Sequence, residues 1–187
     1  MMDPRLKRLK ELVEQRAVLH GEFTLSSGAK SDYYFDGRRV THDAEGITII
    51  GEIVEELLHE AGVEAIGGPS AGANAMITAV QLVSQRRNRA IDGFFVRSEA
   101  KKYGTGRQLE GNLPTSPGAR VAIVDDTITT GDSIQRAIEA VEAAGCTVAI
   151  VVGVVNRRQG GTEALRDRGY DVETLLEADG DKVLLPE

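Results

Sequence analysis

The chain has 187 residues, which is long enough for one domain with a substantial hydrophobic core. Its formal net charge of −7 and its scattered Lys and Arg residues argue against a nucleic-acid-binding surface. The single cysteine excludes an intrachain disulfide, and no apolar run reaches membrane-spanning length. The charged segment Asp3–His20 does not resemble a signal peptide. We therefore expect a cytoplasmic protein that binds no membrane.

Apolar periodicity predicts alternating helices and strands along the chain. A first helix begins at Asp3 and Pro4, a second covers about residues 43–61, and a third covers about residues 73–85. The predicted strands are Ala65–Gly67, Ile91–Val96, Val121–Val124, Val148–Val155 and Val172–Leu176, with a helix at Ile134–Ala144. This order predicts an α/β fold with a parallel sheet. Ligands bind beyond the carboxyl ends of such strands, and Gly68, Arg97 and Asp125 lie at three of them.

The segment between Ser98 and Arg120 has no regular apolar period. It is charged and contains Gly104, Gly106 and Gly111. Connections of this length in compact domains are usually lids or disordered segments. A surface loop without a function is the alternative. Because the segment follows a strand end that faces the predicted crevice, we expect a lid.

Val121–Ser133 combines a short apolar strand with two carboxylates, a cluster of Thr, Gly and Ser, and the start of a helix. Side chains of neighbouring strand residues point to opposite faces, so Asp125 and Asp126 can serve one ligand only if the strand ends there. Backbone N–H groups at the helix start suit a phosphate, and the carboxylates suit vicinal hydroxyls or a hard cation. The stretch therefore predicts a sugar-phosphate site. The alternative is an ordinary turn in which Asp132 or Ser133 caps the helix.

Val121–Ser133 resembles the phosphoribosyl pyrophosphate (PRPP) signature of the type I phosphoribosyltransferases. The resemblance implies that the two carboxylates hold the ribose hydroxyls and that the loop holds the 5′-phosphate. The residues assigned to PRPP in this stretch are Asp125, Asp126, Thr127, Ile128, Thr129, Thr130, Gly131, Asp132 and Ser133.

The start of the predicted lid resembles the catalytic loop of the orotate phosphoribosyltransferases. Arg97, Lys101 and Gly104 match that loop, whereas Ser98 replaces a common Lys and Tyr103 replaces a common His. Cations that close over pyrophosphate stabilise the charge of a leaving group. The resemblance implies that Arg97, Lys101 and Tyr103 bind PRPP, and that Lys101, Asp125 and Asp126 are the catalytic residues.

Three further segments resemble the same family. Phe23–Gly28 and Ser31–Asp36 match its N-terminal hood, for which an edge hairpin with a Ser-Ser-Gly turn is the alternative. Arg157 matches the arginine that binds the orotate carboxylate, although Asn156 replaces an Asp and Arg158 is a second candidate. Thr129 is also assigned to orotate. The loop Gly67–Ala73 matches a pyrophosphate loop without the lysine that many relatives carry there.

Together these matches imply a single domain, 1–187, of the type I phosphoribosyltransferase fold, with a hood at about 1–40 and a lid at about 98–113. They imply transfer of phosphoribose from PRPP to orotate in pyrimidine biosynthesis, with Mg²⁺ carried by PRPP and no direct protein ligand. They also imply a homodimer whose lid reaches the neighbouring site. A phosphoribosyltransferase for a purine or another base is one alternative, and a non-catalytic PRPP-sensing regulator of the same fold is the other.

Overall fold

The computed structural model describes residues 3–24, 28, 30–98 and 108–186. Helix α1 (Pro4–Arg16) begins after Asp3, whose side chain accepts a hydrogen bond of 2.8 Å from the backbone N–H of Arg5. Strands β1 (Val18–Thr24) and β2 (Lys30–Phe35) pair antiparallel as a separate two-stranded sheet. The predicted hood segment is therefore a β-hairpin with a sheet of its own.

The later elements alternate as predicted, with several short additions. They are, in chain order, α2 (Arg38–Thr41), α3 (Ala44–Glu60), β3 (Ala65–Gly67), α4 (Gly72–Arg86), β4 (Asp92–Val96), β5 (Leu109–Gly111), β6 (Arg120–Ile128), α5 (Asp132–Ala143), β7 (Thr147–Asn156), α6 (Gly161–Asp167), β8 (Val172–Asp179) and β9 (Lys182–Leu184). The sequence did not predict α2 and β9, which have four and three residues. It predicted helices between the strands without giving bounds for α6.

The main sheet has seven strands in the part of the chain that the structure describes, in the order β5-β4-β3-β6-β7-β8-β9. The five inner strands run parallel, and the edge strands β5 and β9 pair antiparallel. This confirms the predicted α/β fold with a mostly parallel sheet. No helix among the described residues combines the length and apolarity needed to cross a bilayer.

Strand β6 is buried on both faces, which explains its continuous apolar run. Val121 and Ile123 pack into a core with α5, and Ala122 and Val124 pack into a second core with α3 and α4. All four side chains are fully buried. The centre of the sheet therefore holds the carboxyl end of β6 in a fixed position.

Two predictions about this region were wrong. Strand β6 does not end at Asp125 but continues to Ile128, because β7 still pairs with it at Thr127 and Ile128. The segment after Ser98 is not wholly irregular, because β5 pairs with β4. The sequence could not predict β5, since its three residues have no apolar pattern and depend on the neighbouring strand. Residues 99–107 of the predicted lid lie outside the described residues.

Candidate active site

A cavity of about 890 Å³ opens beyond the carboxyl ends of the central strands, beneath the hairpin. Four segments of the chain form its walls: the hairpin with α2, the loop before α4, the end of β6 with the following loop, and the loop after β7. The lining side chains used below are Tyr33, Phe35, Arg38, Gly72, Asp125, Asp126, Thr127, Thr129, Thr130, Ser133 and Arg157.

Asp125 and Asp126 both face this cavity, although they are neighbours in a strand. Strand β3 ends at Gly67, opposite Ile123, so one edge of β6 is left to the loop before α4. A methyl group on Gly72 would lie 2.3 Å from Oδ1 of Asp125 and 2.8 Å from Oδ1 of Asp126. Both carboxylates therefore meet the same point of that loop. The strand does not have to end for the pair to converge.

The carboxylate pair is held by few donors. The backbone N–H of Asp126 donates to Oδ1 of Asp125 at 3.0 Å, and Oγ of Ser133 donates to Oδ2 at 3.2 Å. Burial, followed by the charge of Asp126, raises the pKa of Asp125 to about 8. Burial also raises the pKa of Asp126, against the hydrogen bond with Asp125 and the charge of Arg38. The pair is thus short of positive partners and able to accept more hydrogen bonds.

The loop after β6 presents hydroxyl groups to the cavity. Thr127, Thr129, Thr130 and Ser133 all line it. Gly131 is the N-cap of α5 with a φ of 83°, and no side chain caps the helix. The alternative in which Asp132 or Ser133 is the cap is therefore wrong. The first-turn N–H groups of α5 have no side-chain acceptor at the cap, which suits an anion.

Two residues assigned to PRPP have other contacts. The side chain of Ile128 is fully buried in the core with α5, and only its backbone remains near the loop. The Ile128 carbonyl accepts a hydrogen bond of 2.8 Å from the backbone N–H of Arg157. Asp132 accepts a hydrogen bond of 2.9 Å from Oγ1 of Thr130. Ile128 therefore supports the loop from the core side, and Asp132 orients the Thr130 hydroxyl of that loop.

Arg157 lies in the loop after β7 and reaches back to the hairpin. Its guanidinium carbon is 4.8 Å from the ring centroid of Phe35 and 5.6 Å from that of Tyr33. Nη2 donates a hydrogen bond of 3.3 Å to Oη of Tyr33. Nε is buried and has no hydrogen-bond partner among the described residues. The hairpin thus orients a guanidinium at the edge of the cavity.

Arg158 points away from this cavity. Its Nε donates a hydrogen bond of 2.6 Å to Oε2 of Glu177, and both residues line a separate cavity of about 530 Å³. Asn156 is buried, and its Oδ1 accepts a hydrogen bond of 2.9 Å from the backbone N–H of Arg158. Asn156 therefore fixes the turn that separates the two arginines, and Arg157 is the one that faces the hairpin.

Of the lid residues assigned to PRPP, Arg97 is the one that lies in the described part of the chain. Arg97 is outside the described lining of the cavity, and its Nη1 pairs with Oε1 of Glu110 at 3.2 Å. Lys101 and Tyr103 lie outside the described residues. The three histidines, His20, His42 and His59, are exposed as predicted, and Cys146 is a buried free cysteine.

Sequence reasoning missed several residues of the cavity. It did not predict that the aromatic residues of β2 contact Arg157, that Arg38 lines the wall beside Asp126, or that Gly72 leaves room for the carboxylates. The sequence contains two signals related to these contacts, the Tyr-Tyr-Phe run of β2 and the missing lysine at the loop before α4. Their meaning depends on contacts between segments that are far apart in sequence.

Comparison with known proteins gives consistent matches. Residues 40–182 match the family model of the phosphoribosyl transferase domain. The chain is 39% identical over 176 residues to an orotate phosphoribosyltransferase of Rhodopirellula baltica, covering 91% of this chain and 90% of the relative. It is 41% identical over 168 residues to that of Corynebacterium glutamicum strain R, covering 90% and 89%.

Solved structures agree with these matches. Mycobacterium tuberculosis orotate phosphoribosyltransferase in complex with PRPP is 34% identical, with a TM-score of 0.78 over 93% of this chain and 96% of that one. An adenine phosphoribosyltransferase from Thermoanaerobacter pseudethanolicus has a TM-score of 0.67 over 92% of this chain and 99% of that one, at 19% identity. The second likeness supports the fold alone.

Proposed function

This chain belongs to the orotate phosphoribosyltransferase family, and from that premise we propose that it transfers phosphoribose from PRPP to orotate, giving orotidine 5′-monophosphate and pyrophosphate in pyrimidine biosynthesis. The observation that carries the proposal is the composition of one cavity. Paired carboxylates, a hydroxyl-rich loop at a helix start, and Arg157 all line it.

In this proposal the ribose binds at Asp125 and Asp126. The carboxylates accept hydrogen bonds from the ribose hydroxyls, which favours their ionised forms in spite of burial. When the bond between ribose C1 and pyrophosphate breaks, the ribose ring gains positive charge. The two carboxylates stabilise that charge more than they stabilise the ground state, which is the requirement for catalysis.

The 5′-phosphate binds at the loop after β6. Backbone N–H groups at the start of α5 and the hydroxyls of Thr127, Thr129, Thr130 and Ser133 are suitable donors. Gly131 supports this role because its φ of 83° turns the chain directly into the helix. Asp132 keeps the Thr130 hydroxyl oriented.

Orotate binds between this loop and the hairpin. Arg157 forms the charged fork for the orotate carboxylate, and Thr129 contacts the ring. A ring nitrogen of orotate forms a bond to ribose C1 as the C1–O bond breaks. The electron pair of the C1–O bond leaves with pyrophosphate, and the N–H proton of the attacking nitrogen passes to pyrophosphate or to solvent. The three histidines lie outside the described lining of the cavity, so none of them is assigned as a base.

Lys101 and Arg97 would neutralise the departing pyrophosphate, and Tyr103 would donate a hydrogen bond to it. A Mg²⁺ ion carried by PRPP would share that charge. The cavity fits such an ion because its donors are hard carboxylate and hydroxyl oxygens, while the described residues contain no cluster of three metal-binding side chains that would hold the ion by itself. A homodimer with a shared lid, which rests on the family resemblance, and a cytoplasmic location, which rests on the sequence composition, complete the proposal.

The proposal is tested by giving the purified protein PRPP, Mg²⁺ and one of four bases: orotate, adenine, guanine or uracil. We expect loss of orotate absorbance with release of pyrophosphate, and no turnover without Mg²⁺. Turnover of a purine would support a phosphoribosyltransferase for another base. Binding of PRPP without turnover of any base would support the regulator, and either result would reject the proposal.

A further inference from the structure

The contact between Arg157 and the hairpin joins residues that are 124 positions apart in the sequence. The Phe35 ring is buried, and its centroid is 4.8 Å from the guanidinium carbon. The Tyr33 ring is at 5.6 Å, and its hydroxyl accepts the hydrogen bond from Nη2. Two aromatic residues of one strand therefore hold one guanidinium.

Contacts with aromatic rings hold the Arg157 guanidinium without neutralising it, so its charge remains available to a ligand. Aromatic faces attract a guanidinium through the ring quadrupole and bring no negative charge of their own. An acidic side chain would orient the same group but would compete with an acidic ligand. Among the described residues no carboxylate forms an ion pair with Arg157, and its Nε has no hydrogen-bond partner.

In the turn that carries Arg157, the backbone and the side chain are held by different residues. The last residue of β7 is Asn156, which brings no negative charge next to Arg157. Its amide oxygen binds the backbone N–H of Arg158 instead. The backbone is thus fixed by Asn156, and the side chain is fixed by the hairpin.

We propose that Tyr33 and Phe35 are positioning residues that hold the Arg157 guanidinium ready for a carboxylate, so that the hairpin determines the preference for a carboxylated pyrimidine over an uncharged one. This inference rests on the proposed function. It assigns to the hairpin a role in base selection that acts through Arg157.

The test uses steady-state kinetics of the full chain with Tyr33→Phe, Phe35→Leu and the matched control Tyr170→Phe. Tyr170 lies on another face, where its hydroxyl bonds Glu142, so its variant loses the same atom away from the cavity. We expect the KM for orotate to rise about 5-fold in Tyr33→Phe and about 10-fold in Phe35→Leu, with kcat and the KM for PRPP within about 2-fold. Tyr170→Phe should match the wild type.

A double-mutant cycle with Arg157→Ala separates positioning from direct contact. If Tyr33 acts through Arg157, Tyr33→Phe should add no further loss of orotate affinity in the Arg157→Ala background. A full additional loss of orotate affinity in the double variant, or an unchanged orotate KM in Tyr33→Phe alone, would overturn the inference. Turnover of orotate by the wild type would still support the proposed function in either case. A wild type that does not use orotate would reject both. If Phe35→Leu fails to fold, Tyr33→Phe still decides, because it removes a single oxygen atom.

Discussion

The backbone N–H of Asp126 donates a hydrogen bond of 3.0 Å to the carboxylate of Asp125 and so orients that carboxylate. Both carboxylates are largely enclosed by protein, and burial raises the pKa of each. An arrangement that raises the pKa of a carboxyl group destabilises the ligand-free protein at neutral pH. The same arrangement leaves acceptors ready for ribose hydroxyls.

We therefore expect Asp125→Asn to stabilise the ligand-free protein while abolishing most activity. The folded pKa of Asp125 is about 8, above the ordinary value of 3.8, so the folded state binds more protons between these values. The stability of the wild type should fall as pH rises through this window, and the variant should lack this loss. The advantage of the variant in unfolding free energy should therefore grow steadily as pH rises from about 4 to about 8.

Thermal unfolding of both proteins between pH 5 and pH 8.5 measures this difference. The Tm of Asp125→Asn should exceed that of the wild type by an amount that widens as pH rises. The asparagine retains the shape of the aspartate and can still pair with Ser133. A Tm difference that stayed constant with pH, or that shrank as pH rose, would show that Asp125 is not a strained carboxyl group.

Gly72→Ala should damage the site without replacing a catalytic side chain. The new methyl group would lie 2.3 Å from Oδ1 of Asp125, so the carboxylate pair must shift. We expect kcat/KM for PRPP to fall at least about 10-fold, because a displacement of about 1 Å in a catalytic group can cost about 100-fold. Asn74→Ala, at an exposed position of the same helix, is the control. Equal kinetics in the two variants would contradict the crowding seen at Gly72.

The neighbouring residues Arg157 and Arg158 should differ sharply in their contribution to orotate binding. Arg157→Ala should raise the KM for orotate about 100-fold, since a charge-assisted pair contributes about 2–3 kcal/mol. Arg158→Ala should leave the orotate KM within about 2-fold, because that side chain pairs with Glu177 in another cavity. Orotate titrations at saturating PRPP compare them. A larger effect at Arg158 would reverse the assignment.

Ile128→Val tests the reassignment of a residue that the sequence placed in the PRPP site. The side chain is fully buried and packs against Gly153, where a methyl group would lie 2.7 Å from Cδ1. The change should cost about 0.5–1.5 kcal/mol of stability, as is usual for a buried Ile. The KM for PRPP should not change. A PRPP defect without a loss of Tm would restore the original assignment.

Lys101→Ala should lower kcat far more than it weakens orotate binding, because the charge it neutralises develops as pyrophosphate leaves. Single-turnover kinetics separates the chemical step from binding. An orotate-affinity defect with unchanged kcat would move Lys101 from the leaving group to the base.

Local sequence predicted the elements that have strong apolar periods. The caps of α1 and α3 and the strand at Ala65–Gly67 follow from residues adjacent in the chain. The short edge strands β5 and β9 exist because a neighbouring strand offers hydrogen bonds, so their own residues carry little signal. The continuation of β6 to Ile128 likewise depends on β7.

The residues of the candidate site likewise fall into those that local sequence predicts and those that depend on distant contacts. Asp125, Asp126 and the threonines could be predicted because one continuous stretch carries them. The orientation of Arg157 could not, since it depends on rings more than a hundred positions earlier. The gap left by Gly72 could not be predicted either, because the sequence shows only that a lysine is missing and not that two carboxylates occupy the space.

The most direct test of the central claim is the stoichiometry of the reaction with PRPP, Mg²⁺ and orotate. The account predicts that one pyrophosphate is released for each orotate consumed, that orotidine 5′-monophosphate is the product, and that Asp125→Asn and Asp126→Asn lose most of this turnover. Consumption of orotate that persists in both aspartate variants, or no consumption by the wild type, would contradict it.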